Sequence, residues 1–192
     1  LHRKKWKKAE LLSLVGDTSQ IGGVQSFTYN SGKADGVKAL KVDTGSGFNM
    51  TVLPGRGMDI SEATFRGNSI CFHSGTGVTH PAYYEESGDR WLRSFVGGLL
   101  TTCGITNSGA PSEDNGRSFG LHGRIANAAA EDVCVDQKWE EDEYKIRIKG
   151  LLRESCGEME HLTLTRTIET QLGRNGFTLT DLIENHRYKR GV

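Results

Sequence analysis

Polar and apolar residues alternate with period two along much of the second half of the chain. Tyr144-Lys145-Ile146-Arg147-Ile148-Lys149 sends every second residue to an apolar face and the cations to the opposite one, which predicts a strand with one buried side. Leu162 to Thr170 repeats the pattern with β-branched threonines on its outer face, and Phe177 to Ile183 follows after the turn Gly173-Arg174-Asn175-Gly176. These two segments are predicted to form a hairpin. Val37 to Thr44 and Phe48 to Leu53 flank Gly45-Ser46-Gly47 and predict another. No segment carries a long helical stripe, and only Lys7 to Val15 is ambiguous. Short strands joined by glycine turns, without alternating helices, predict an all-β antiparallel sandwich or barrel instead of a parallel α/β sheet. No repeat, linker or boundary divides residues 1–192, so one domain is expected. Ser74 to Arg90 and Thr106 to Ser118 read as the long loops in which a ligand cleft would form.

Composition narrows the partners. Glycine is high at 25 of 192 residues and proline low at 3, as many tight turns require. Lys+Arg and Asp+Glu are both 24, so no net field attracts nucleic acid or an anionic membrane, and a small polar or neutral ligand fits better. The basic cluster Arg3-Lys4-Lys5-Trp6-Lys7-Lys8 is short and reads as a solvated leader. Leucine, not methionine, stands first, so at least one upstream residue is expected to lie outside the numbering. No apolar run is long enough for a membrane span or a secretory signal. Cys71, Cys103, Cys134 and Cys156 form no Cys-x-x-Cys pair and have no interleaved histidines at zinc spacing. A cytoplasmic protein without metal or cofactor is the expectation. The acidic run Glu140 to Glu143 lacks the ligand alternation of a calcium loop and reads as a turn between strands.

Candidate chemistry concentrates between Gly97 and Arg124. There Gly97-Gly98-Leu99-Leu100-Thr101-Thr102-Cys103-Gly104 precedes a polar loop and then Gly120-Leu121-His122-Gly123-Arg124. Glycine beside a histidine lets the backbone approach a ligand closely, and an imidazole titrating near pH 6.5 both gives and takes protons at neutral pH. His122 is therefore a general acid-base candidate, with a turn histidine bonded to backbone as the plainer reading. A pairing of Cys103 with His122 as nucleophile and base lacks any identifiable third, orienting group.

Three motifs carry a family resemblance: Pro54-Gly55-Arg56-Gly57-Met58-Asp59-Ile60, Trp91 to Leu99, and Gly120 to Arg124. In this order they resemble the galactose mutarotase-like superfamily of aldose 1-epimerases and hexose-6-phosphate mutarotases, and more closely a bacterial branch of epimerases of unassigned substrate. The resemblance implies a large twisted antiparallel β-sandwich, the supersandwich, of which this chain would be the N-terminal part. It also implies interconversion of sugar anomers, with a base taking the anomeric hydroxyl proton and an acid serving the ring oxygen. In that family a His-Gly histidine contacts or protonates the ring oxygen, a second histidine assists, and a late glutamate is the base. His122 matches the first. The other two would fall beyond Val192, since the family continues well past the point matching Asp181 to Asn185. His186 stands where the family has a small residue before a turn, and Glu184 reads as a strand-end residue, so neither is accepted as a replacement. The chain is thus expected to be incomplete at its C-terminus, the other reading being a protein that has lost part of its catalytic set.

Substrate-binding candidates follow. Arg56 and Asp59 could grip vicinal hydroxyls or form a structural ion pair. Trp91 and Arg93 would share one face of a strand, the indole stacking on a sugar, against a core tryptophan beside an exposed arginine. Arg124 could cap the site or bind an anionic substituent, or lie on the surface. The expected partner is a small sugar or sugar derivative, with no nucleic acid or membrane, and exposed β edges would allow a homo-oligomer. A non-catalytic carbohydrate-binding sandwich is the alternative function.

Overall fold

The structure is a computed structural model that describes residues 6–157 and 160–186. After a short helix α1 (Lys8–Leu12), a five-stranded antiparallel sheet runs in sequence order through β1 (Gly23–Thr28), β2 (Lys38–Asp43), β3 (Phe48–Leu53), β4 (Asp59–Phe65) and β5 (Asn68–Ser69). Two small ribbons follow, β6 (Phe72–His73) with β7 (Gly97–Gly98), and β8 (Ser112–Asp114) with β9 (Arg117–Phe119). A four-stranded antiparallel sheet closes the described chain as β10 (Glu131–Glu140), β11 (Glu143–Cys156), β12 (Glu160–Gln171) and β13 (Thr178–Asn185). Both hairpins expected from the sequence are present, β2 on β3 and β12 on β13. The ambiguous N-terminal segment is helical only over α1, held by Leu11 in the interior. Arg3 to Lys5 of the basic cluster lie outside the described residues, while Lys8 sets its ammonium 5.9 Å from the centre of the Trp139 ring. Among the described residues, no helix is long and apolar enough to cross a membrane.

Period-two alternation explains how the sheets meet. Along β11, Ile146, Ile148, Gly150, Leu152 and Glu154 are buried while Arg147, Lys149 and Arg153 are exposed. Those isoleucines and Ile168 of β12 close against Val42, Phe48, Met50, Val52 and Ile60 of the first sheet and Met58 of the turn before β4, forming one core between two layers. Removing each such side chain from water stabilises the sandwich by about 1.5–3 kcal/mol before chain entropy is counted. The threonines of β12 depart from the expected wet face: Thr163 and Thr167 are only 4% and 9% exposed. Their strand is central, and longer neighbours cover them, Arg153 and Glu184 beside Thr163 and Lys149 beside Thr167. Thr106 to Ser118 is likewise not all loop, because it contains β8 and enters β9.

The segment before the candidate histidine is fastened to the first sheet at Ile60. Ile60 O accepts the N–H of Leu99 at 2.8 Å and that of Leu100 at 3.3 Å, and Leu100 O accepts the N–H of Ile60. This proximity excludes a side chain at Gly98, whose φ is +92° and whose Cβ, if added, would lie 2.1 Å from Ile60 O. Gly98→Ala combines a disfavoured conformation with a backbone clash, so a loss of at least about 1–3 kcal/mol is expected in chemical denaturation. An unchanged midpoint would contradict this packing.

Candidate functional site

The turn joining β3 to β4 organises the loops around the candidate residues. Gly57 N–H donates to Ala128 O at 2.7 Å and Ala130 N–H to Pro54 O at 2.8 Å, which lays the turn against residues 125–130. Arg56 points inward from it, only 3% exposed. Its guanidinium donates to Thr79 O and Ser94 O, each at 2.8 Å, and to Asn127 Oδ1 at 2.9 Å. One planar fork thus ties three loops together, as a single buried cation with several fixed donors can. Burial pulls its pKa below the ordinary arginine value, with Asp59 opposing.

Asp59, at the start of β4, turns instead toward the second sheet. Its Oδ1 accepts the Thr102 N–H at 2.9 Å and the Thr102 hydroxyl, and lies 3.5 Å from Nη1 of Arg166. Arg166 is inward-facing on β12, and its Nε and Nη2 grip both carboxylate oxygens of Asp181 at 2.8 and 2.7 Å. Its Nη1 also donates to Gly57 O and to the Thr102 hydroxyl. Arg56 and Asp59 therefore serve separate networks, one among the loops and one between the sheets.

The His122 segment stands beside these networks. His122 adopts φ +57°, the left-handed region that costs a non-glycine residue about 1–3 kcal/mol unless its surroundings impose it. The surroundings do so. His122 N–H donates to Gly109 O at 2.9 Å, its carbonyl accepts Gly104 N–H at 2.9 Å, and the Tyr84 hydroxyl donates to Gly123 O at 3.1 Å. Burial and Glu86 push the Tyr84 phenol up to about 12, so it stays a donor at neutral pH. At Gly123, with φ +69°, an added Cβ would sit 2.5 Å from Gly104 O, so only glycine fits after the histidine. The imidazole is half-buried. Gly109 N–H donates to its Nδ1 at 3.2 Å, and its ring meets Trp91 edge-on at 4.9 Å between centroids. An Nδ1 that accepts leaves the neutral ring's proton on Nε2.

Trp91 and Arg93 do not share a strand face. They belong to a 3₁₀ turn, Arg90–Ser94, that buries Trp91 to 4% exposure. Trp91 stacks on Phe95, while Arg93 projects outward and pairs with Glu85 at 2.8 Å. A turn with three residues per cycle separates neighbours two apart, whereas the extended backbone expected from the sequence would align them. Arg124, one quarter exposed, lies 3.4 Å from Glu154 and 3.8 Å from Glu86. Of the sequence candidates, His122 and Trp91 are brought into contact, Arg56 reaches the 3₁₀ turn that carries Trp91 through Ser94 O, and Arg93 stays on the surface. Cys103 has its thiol pushed up by burial and by Asp59, which works against a nucleophilic thiolate there.

Two features went unremarked in the sequence. Glu154 is 4% exposed and accepts from Ile105 N–H, from the Thr106 hydroxyl and from Arg124. Its signal was an acid at an inward position of β11, where alternation calls for an apolar residue. Arg166 carried the same signal on β12. Buried donors without a hydrogen-bond partner gather in this region too: Arg56 Nε, Trp91 Nε1 and Asn127 Nδ2. Cavities lined by other residues include an apolar one of about 630 Å³ at Phe27, Pro54, His80 and Val133 and a smaller one of about 390 Å³ at Trp6 and Trp139.

Comparison with known proteins places this geometry. The family model described as "Domain of unknown function (DUF4432)" matches residues 34–191. No curated protein matches the chain. Among solved structures, a "putative aldose 1-epimerase" from Klebsiella pneumoniae superposes with a TM-score of 0.77 at 29% identity, over 85% of this chain and 43% of that one. Galactose 1-epimerase from Lactobacillus acidophilus aligns at a TM-score of 0.44 and 13% identity, over 78% of this chain and 45% of that one. This chain thus spans less than half the length of either protein. The fold is the aldose epimerase-like β-sandwich of the galactose mutarotase-like superfamily, matched over an N-terminal-like part.

One prediction concerns Asp59. Burial raises its carboxyl from 3.8 to about 6 against the pull of Thr102 and Arg166. A carboxyl that holds its proton more tightly when folded contributes stability in full below about pH 4, and the contribution vanishes as pH rises through about 6. Denaturation midpoints from pH 4 to 7.5 should show the wild type losing stability relative to Asp59→Asn across that window. The size is up to about 3 kcal/mol, at 1.36 kcal/mol per unit of the rise from 3.8 to about 6. A pH-independent difference would rule it out.

Proposed function

The chain belongs to the DUF4432 family, and we propose that it takes part in aldose 1-epimerisation, with His122 as the group facing the ring oxygen of a sugar. The observation that carries this reading is the imposed left-handed backbone at His122, together with the Gly109 N–H on Nδ1. A conformation that costs energy, held from several sides, is typical of residues fixed for function. With Nδ1 engaged, Nε2–H is the group left to donate to the ring oxygen as the C1–O bond opens, which lowers the barrier by favouring the developing charge. Trp91 holds the imidazole plane, and Arg56 holds the 3₁₀ turn beneath it. Arg124 stands two residues from His122 between Glu154 and Glu86, and would meet an anionic sugar substituent by exchanging one of these carboxylates for it. Arg93 offers a charged group at the rim. The Klebsiella neighbour's name is consistent with this chemistry.

One observation favours a second reading, a carbohydrate-binding sandwich without catalysis. The buried carboxylate nearest in sequence register to the loops, Glu154, is already engaged by Ile105, Thr106 and Arg124, which leaves it poorly suited as the base. Magnetisation-exchange NMR over a panel of aldoses separates the two. Enzyme addition should accelerate anomer exchange, and His122→Ala should reduce the acceleration by about 10²-fold or more. Ligand binding without acceleration would select the binding module, and neither would remove both.

We propose also that this chain is the N-terminal part of a longer sandwich, on which the base would reside. Ile183 of β13 lies opposite Leu164 on the inward side, yet it is 53% exposed where Leu164 is 1%. Reading the coding sequence beyond Val192 tests this: a tyrosine-histidine pair and a later strand glutamate are expected, and an immediate stop codon would refute it.

A further inference from the structure

We infer that Cys71 is a peroxide-reactive thiol, activated by His73. Ser69, Cys71 and His73 are alternate residues around the bend at Cys71 that joins β5 to β6. The consequence is a compact cluster: Cys71 Sγ lies 3.4 Å from His73 Nε2, Ser69 Oγ lies 3.4 Å from the same nitrogen, and Sγ and Oγ are 3.7 Å apart. The Ala63 N–H of β4 donates to Cys71 Sγ at 3.2 Å, and Ala63 O lies 3.7 Å from the same sulfur, so β4 fixes its position. His73 and Ser69 are exposed, while Cys71 is half-buried and packs against the main core.

The chemistry follows from these contacts, since a thiolate and not a thiol attacks electrophiles. His73 Nε2 takes the Cys71 proton, and the sulfur attacks the terminal oxygen of a hydroperoxide. An S–O bond forms as the O–O bond breaks, and the departing alkoxide or hydroxide takes the proton back from His73. Sulfur is oxidised by two electrons to a sulfenic acid, and the peroxide is reduced to an alcohol or water. The other three cysteines lack this arrangement among the described residues. Cys103 Sγ lies 3.9 Å from Thr101 O, and among the described residues no histidine is hydrogen-bonded to Cys103, Cys134 or Cys156.

Exposure alone predicts the opposite order of reactivity, because Cys103 and Cys134 are exposed and Cys71 is not. The full chain is treated with dilute hydrogen peroxide, sulfenic acid is trapped with dimedone, and the label is mapped by peptide mass spectrometry. Cys71 should label about tenfold faster than Cys103 or Cys134, a modest share of what a positioned base supplies. His73→Asn keeps the exposed position polar and should bring Cys71 down to the level of the others, as should unfolding the wild type in guanidinium. Faster labelling at Cys103 or Cys134 in the folded wild type, or undiminished selectivity in His73→Asn, would overturn the inference.

Discussion

The guanidinium of Arg166 is the interaction on which the arrangement depends. From the inner face of the second sheet it engages Asp181 on the neighbouring strand, the Gly57 carbonyl in the turn between β3 and β4, and the Thr102 hydroxyl in the segment leading to His122. It is 3% exposed at its side chain, so its charge is viable only because every direction offers an acceptor. Removing one partner from such a buried network costs about 3–5 kcal/mol, because the remaining charge has no water to turn to. The sandwich thus carries a polar joint at the place where its two layers and its loops converge.

Around that joint, rigidity and adaptability are divided. The sheets are held by apolar burial with strict alternation, which is insensitive to the loop sequences. The loops are held by directed hydrogen bonds, each using a single donor or carbonyl: Arg56 to Thr79, Ser94 and Asn127, Tyr84 to Gly123, Gly109 to His122. Directional bonds fix the orientation of a side chain more sharply than packing does. A fold built this way can retain its core while its loops change ligand.

How much of this could be read from the chain depended on the range of the forces involved. The hairpins β2–β3 and β12–β13 were legible because alternation and glycine turns act between residues close in sequence. His122 stood out through its glycine neighbours and through the resemblance, and the structure adds the contacts that hold its backbone and ring. The partners of Arg56 and Asp59 were not, although both residues stood out: they lie three apart, yet one turns to residues 79, 94 and 127 and the other to residues 102 and 166. Trp91 and Arg93 were placed on a strand because an isolated five-residue 3₁₀ turn has no strong sequence period. Glu154 and Arg166 announced themselves only as charges in apolar register.

By itself, then, the sequence determined the architecture: two antiparallel sheets whose buried faces follow from period-two alternation, and a histidine set in backbone that only glycine neighbours permit. Tertiary structure decided which charge meets which, that Arg166 joins the layers, that Arg56 collects three loops, and that Trp91 supports the imidazole from below the surface. The physical reason is reach. Strand pattern and turn chemistry are local properties, whereas a buried ion or a strained residue is stabilised by groups tens of residues away, whose approach exists only once the sheets have closed.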